Sequence, residues 1–90
     1  IMAKPLYRKN SPPKYPRHAR RKGYEGNVII EVLVDEKGNV NDLKLFKSSG
    51  YEILDRSALS AVKKWLFKPG TSNGKAMKMW VRVPIRFKLN

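Results

Sequence analysis

The sequence predicts an α+β fold: a three-stranded antiparallel sheet packed by one long helix, with a short N-terminal helix, in the order α-β-β-α-β. Three observations predict it. Val28, Ile30, Val32 and Val34 alternate along a β-branched run, the period of a strand with one buried face. Leu54, Ala58, Ala61, Val62 and Trp65 recur at helical spacing and form one apolar stripe. Met77, Met79, Val81, Val83, Ile85, Phe87 and Leu89 then alternate with polar neighbours to the end of the chain.

Residues 1–12 hold few apolar side chains, several basic ones, Pro5 and Pro12, a composition that favours an extended, flexible arm over packed structure. The folded domain is therefore expected over residues 13–90. Pro16 suits the first turn of a helix, where a missing N–H leaves no bond unmade, and Gly23 suits its end, so a basic helix is expected over 16–22. The first strand follows Gly26, and the apolar intruders Ile29 and Leu33 suggest that both its faces are partly covered. Asp35-Glu36-Lys37-Gly38-Asn39 supplies turn chemistry, so a hairpin leads to a more polar return strand over 40–47.

Ser49 and Glu52 have the spacing of a capping box and mark the start of the long helix. Lys63 and Lys64 lie near its C-terminal end, where the helix dipole favours positive charge. Pro69-Gly70 closes it, and Thr71-Ser72-Asn73-Gly74 reads as a polar turn into the last strand. These elements close one simple layer, the apolar sheet face under the helix stripe. A right-handed crossover from the second strand through the helix sets the spatial order two, one, three. The last strand then lies at an edge. Pro84 sits inside that strand, and an edge tolerates proline where the missing N–H would have pointed outward.

Composition narrows the function classes. The formal net charge is +13, and all seven acidic residues fall between Glu25 and Asp55, so both flanks are strongly positive. Such a field attracts nucleic acid, anionic lipid or an acidic protein surface without choosing among them. There is no cysteine and therefore no disulfide or thiolate chemistry. His18 stands alone, without the clustered ligands of a metal site. The serines at 48, 49, 57 and 60 fall in or beside the helix start or the helix itself, and none lies in a nucleophile elbow. An enzyme is not expected, nor any cofactor. No apolar run approaches the roughly 20 residues of a membrane span, and the abrupt opening Ile1-Met2-Ala3 is expected of a fragment whose targeting segment lies elsewhere. The edge strand supports a sharper expectation. Lys78, Arg82, Pro84 and Arg86 either blunt the edge against aggregation or flank a site where a partner adds a strand. Trp80, on the polar side of that strand, either covers bare sheet or meets the partner.

Several separated motifs together resemble one family. Pro13-Lys14-Tyr15-Pro16, Gly23-Tyr24-Glu25-Gly26-Asn27-Val28, Ser48-Ser49-Gly50, Leu54-Asp55 with Ala58 and Val62, Trp65-Leu66-Phe67-Lys68-Pro69 and Val83-Pro84-Ile85-Arg86-Phe87 are similar, in order and spacing, to the C-terminal domain of TonB. The resemblance covers Pro13 to Leu89. It implies the periplasmic end of an energy transducer anchored in the inner membrane of a Gram-negative cell. It also implies that the last strand accepts the TonB box of outer-membrane TonB-dependent transporters as an added strand. Energy would come from the proton gradient through ExbB and ExbD. Carried over by position, the partner-binding residues are Met77, Lys78, Met79, Trp80, Val81, Arg82 and Val83, with Pro12, Pro13, Lys14 and Tyr15 ahead of the first helix. Pro12 stands where well-known members carry a glutamine, which removes an amide able to pair with the partner. Peptidoglycan contact and a homodimer built on the long last strand are further partners to consider. A basic nucleic-acid-binding module is the rival reading, motivated by Arg17, Arg20, Arg21 and Lys22 on one short helix.

Overall fold

The computed structural model describes all 90 residues. Its elements are β1 (Lys4–Pro5), α1 (Arg17–Lys22), β2 (Gly26–Val34), β3 (Val40–Lys47), α2 (Glu52–Val62), β4 (Phe67–Lys68), β5 (Gly70–Ser72), β6 (Lys75–Met77) and β7 (Met79–Phe87). The main sheet has the order β3-β2-β7 and is antiparallel throughout, as the crossover argument requires. Val28, Ile30, Val32 and Val34 of β2 and Val81, Val83, Ile85 and Phe87 of β7 form one buried face, packed with Leu54, Ala58 and Val62 of α2. Burying each of these side chains contributes about 1.5–3 kcal/mol for the larger ones, so this layer holds the domain together.

α1 forms as the proline and glycine signals predict. Pro16 is its N-cap, and Gly23 closes it at φ 73°, donating its N–H to the carbonyls of Ala19 and Arg20. Ala19 is fully buried and seats the helix, leaving the basic side chains outside. In the 35–39 turn, the Asp35 carboxylate accepts the backbone N–H groups of Lys37 and Asn39, both at 2.9 Å, and the Asn41 amide at 2.8 Å. Gly38 is required twice over: its φ is 86°, and a Cβ there would lie 2.0 Å from the Phe67 carbonyl oxygen. That close approach lets Phe67 N–H donate to the Gly38 carbonyl at 2.8 Å, which ties the hairpin tip to β4.

Four expectations need correction. First, the capping box does not form: α2 has Tyr51 at its N-cap with no side-chain cap bond. Asp55, one turn in, accepts instead from the Ser48 hydroxyl, the Ser49 hydroxyl at 2.8 Å and the Ser49 N–H at 2.9 Å. Glu52 is drawn away to Arg56 at 2.6 Å. Second, α2 stops at Val62, and Trp65 is buried from the turn beyond it. Third, the last strand does not run unbroken from Met77. Asn73 and Gly74, at φ 53° and 78°, make a two-residue turn of the kind that closes tight hairpins, so β5 and β6 pair separately, with Met77 opposite Gly70. Lys78 falls between that hairpin and β7.

Fourth, residues 1–12 are extended but not free. β1 pairs antiparallel with β4, Ala3 is buried, and the Ile1 nitrogen donates to the Thr71 carbonyl while the Thr71 N–H donates to the Ile1 carbonyl, both at 2.8 Å. Asn10 is the strongest clasp. Its side-chain amide donates to the Leu66 carbonyl at 2.9 Å and accepts the Leu66 N–H at 2.8 Å, while the Trp65 indole N–H reaches the Ser11 carbonyl at 2.8 Å.

Candidate functional site

β7 lies at the edge of the main sheet, and what its outer side offers follows from its one proline. The β2–β7 ladder runs without a register shift from Gly26↔Phe87 to Val34↔Met79, passing through Ile29↔Pro84. Inter-strand bonding alternates along an antiparallel pair. Because Pro84 has no N–H, the unbroken ladder assigns it to the set that faces away from β2, and Trp80, Arg82 and Arg86 belong to the same set. Val81, Val83 and Ile85 bond inward. No backbone hydrogen bond outside the regular elements involves residues 79–87, so the outward N–H and C=O groups of Trp80 and Arg82 have no partner on the chain. Pro84 interrupts the row of donors there. The open edge usable by an incoming strand is therefore Met79 to Val83.

The outer sheet face beside this edge is a woven row of aromatic and charged groups. Glu31 on β2 sits between Arg82 at 3.4 Å and Lys44 at 3.9 Å. The Lys44 ammonium lies 4.8 Å from the centre of the Trp80 ring, and the Arg82 guanidinium stacks 3.6 Å over Phe46. Phe46 lies on this face by ordinary alternation with Lys44, and a bulge in β3 between the pairs Ile29↔Lys47 and Ile30↔Leu45 leaves it as the extra, unpaired residue. Trp80 opposes Leu33 and remains 41% exposed. It covers sheet and still presents a face to solvent.

The segment ahead of α1 divides by role. Pro12 and Pro13 line a hollow of about 400 Å³ against Pro84, Ile85 and Arg86, directly beyond the open edge. Lys14 contributes its carbonyl to the Ser57 hydroxyl on α2. Tyr15 is a fastening residue. Its hydroxyl donates to the Tyr24 carbonyl, its ring meets Phe87 edge-on at 5.4 Å, and the Arg20 guanidinium lies 5.1 Å above it. Loss of solvent and the nearby Glu25 carboxylate raise the Tyr15 phenol above its ordinary range, against the pull of Arg20. Of the residues assigned from the sequence, the structure thus gathers Met79 to Val83, Pro12 and Pro13 along one edge. Met77 and Lys78 lie off the strand that forms it. Sequence reasoning missed Asn10, Trp65 and Phe46 as parts of this region. No group of three or more His, Cys, Asp or Glu side chains is placed to hold a metal ion.

Residues 11–89 match the family model described as the Gram-negative bacterial TonB protein C-terminal. The chain belongs to this family. Among its relatives, the protein tonB2 of Pseudomonas aeruginosa is 46% identical over 84 residues, covering 93% of this chain and 31% of that protein. The TonB protein of Vibrio cholerae is 47% identical over 77 residues, covering 86% of this chain and 32% of that protein. The chain thus spans about a third of the length of these curated relatives. Among solved structures, the solution NMR structure of the Pseudomonas aeruginosa TonB C-terminal domain superposes with a TM-score of 0.76 at 32% identity, covering 97% of this chain and 86% of that one. The mixed α+β architecture with its three-stranded antiparallel sheet is that of the TonB C-terminal domains.

Proposed function

We propose that this domain captures the TonB box of an outer-membrane TonB-dependent transporter as a fourth strand on β7. In this reading residues 13–90 are the binding unit, and the longer protein, anchored in the inner membrane, works in the periplasm. It would pass energy drawn from the proton gradient by ExbB and ExbD to the transporter and so drive nutrient import. The observation that carries the reading is the unpaired outer side of β7 between Met79 and Pro84, where main-chain groups would supply affinity and Trp80 and Arg82 selectivity. Family membership supports it as energy transduction in TonB-dependent transport rather than as catalysis. Pulled along its own axis, an added strand loads all its ladder bonds together. That geometry would let a modest affinity carry force. Nothing in the comparisons favours the nucleic-acid reading, which rests on charge alone. The test is an NMR titration of the labelled domain with a synthetic TonB-box peptide and with a scrambled one. Amide shifts centred on Trp80 and Arg82, seen only with the true peptide, are expected. Equal shifts with both peptides, or none on β7, overturn the reading.

A further inference from the structure

A hollow of about 550 Å³ lies between residues 9–14 and the exposed side of α2. Its character is one-sided. Lys9, Lys14 and Lys64 surround it, Ser57 and Ser60 add hydroxyls, and no acidic residue lines it. The hollow beside Pro84 is also free of acid and contributes Arg86. The two share Asn10, Pro12 and Trp65 as a common wall. Together they make one path that starts where Pro84 ends the open edge of β7 and leads into the lysine-lined hollow. Trp65, whose indole N–H is already bonded to Ser11, forms an apolar wall along it.

The charge here is uncompensated because the acidic residues are occupied elsewhere. Six of the seven accept hydrogen bonds within the domain, namely Glu25, Glu31, Asp35, Asp42, Glu52 and Asp55. The only ion pairs use Lys44, Arg56 and Arg82. Lys9, Lys14, Lys64 and Arg86 have no carboxylate partner. Four cations around an acid-free path that continues a strand-accepting edge are complementary to an extended peptide bearing carboxylates.

We infer that the path from Pro84 to Lys64 binds an acidic flank of the partner segment, so that the protein selects peptides carrying Asp or Glu just beyond the residues that pair with β7. This rests on the strand-addition reading and adds a specificity element to it. The lysines act at the rim through solvent, so each exposed pair is worth about a factor of two, and three together about tenfold, at low ionic strength. Salt screens such pairs, and the preference should fall below about twofold near 0.5 M salt.

Three synthetic peptides share one TonB-box segment and carry three Asn on both sides, three Asp on one side, or three Asp on the other. Binding is measured by titration against the protein and against the triple variant Lys9→Gln, Lys14→Gln, Lys64→Gln. One acidic peptide should bind about tenfold tighter than the neutral one. The triple variant should erase that advantage, bringing the acidic and neutral peptides to equal affinity. If the neutral peptide shifts the Trp80 and Arg82 amides but neither acidic peptide binds more tightly, this inference falls and strand addition stands. An advantage that survives in the triple variant also overturns it. If no peptide shifts β7, both fall together.

Discussion

Replacing Asp55 by Ala should cost about 3 kcal/mol, because one carboxylate organises the whole entry to α2. Asp55 is only 7% exposed and accepts from the Ser48 and Ser49 hydroxyls and from the Ser49 N–H. In turn the Ser48 hydroxyl receives Gly50 N–H at 2.9 Å and the Ser49 hydroxyl receives Tyr51 N–H at 3.1 Å. The two hydroxyls can turn to water when the carboxylate is removed. The backbone N–H of Ser49 is harder to satisfy, and a hydrogen bond to a charged acceptor contributes about 1.5–3 kcal/mol. Loss of a negative charge in the first turns of the helix adds about 0.3–1 kcal/mol. For a domain of this size the sum lowers Tm by roughly 12–24 °C, measurable by calorimetry or circular dichroism. The pH response has a definite sign. Burial raises the Asp55 carboxyl, but bonds from Ser48 and Ser49 outweigh it and hold the group below its ordinary 3.8. A depressed carboxyl stabilises the fold above the unfolded value and loses that contribution as pH falls through the folded one. Asp35 is lowered too, chiefly by the Asn39 N–H, so the informative quantity is the difference between the protein and Asp55→Ala. That difference should be constant from pH 7 to about 5 and shrink below about pH 4. A gap under about 0.5 kcal/mol at pH 7, or one that does not shrink in acid, refutes the assignment of Asp55 as the organiser of this turn.

Hydrogen exchange should divide β7 by parity: Val81, Val83 and Ile85 amides slow, Trp80, Arg82 and Arg86 fast, with bound peptide protecting Trp80 and Arg82. Equal protection of neighbours would refute the outward set that Pro84 defines. Tyr15→Phe removes the hydroxyl bonded to Tyr24 and should cost about 1 kcal/mol in denaturant unfolding while leaving peptide affinity unchanged. A loss of affinity at preserved stability would make Tyr15 a contact residue instead. Asn10→Ala opens both bonds to Leu66, about 1–2 kcal/mol together, and should speed limited proteolysis within residues 1–10. Unchanged cleavage would show that β1 alone holds the segment.

The main sheet was legible because its signals are local and redundant: the alternation of β2 and β7, the 35–39 turn, and a proline that only an edge position accommodates. What escaped was decided by contacts the local pattern does not carry. Ser49 and Glu52 have capping spacing, yet a competing carboxylate three residues on is buried where it meets both serines, and Glu52 finds Arg56. The alternation from Met77 onward continues across a hairpin boundary, since Asn73-Gly74 turns the chain and β6 keeps the same period as β7. Phe46 keeps the face that its alternation with Lys44 sets, whereas the bulge beside it brings Lys47 onto that same face, a parity shift that composition does not show. The N-terminal segment reads as linker because its partners, Leu66 and Trp65, stand 56 and 54 positions away. The resemblance pointed to residues 79–83 and the two prolines, which the fold places on the edge strand and beside Pro84, whereas the lysine-lined hollow was not legible. Its three lysines are scattered between positions 9 and 64 and meet only in the folded chain.

The two tryptophans stand at the two joints that matter. Trp80 lies half in solvent on the open strand beside the Lys44 ammonium, and Trp65 is buried with its indole bonded to the N-terminal segment. Each single Trp→Phe protein would therefore carry one native fluorophore, one tuned to events at the sheet edge and the other to release of the segment that crosses α2. The molecule comes already wired for two-channel emission spectroscopy, and the order in which the channels respond to a partner can be timed without attaching a dye.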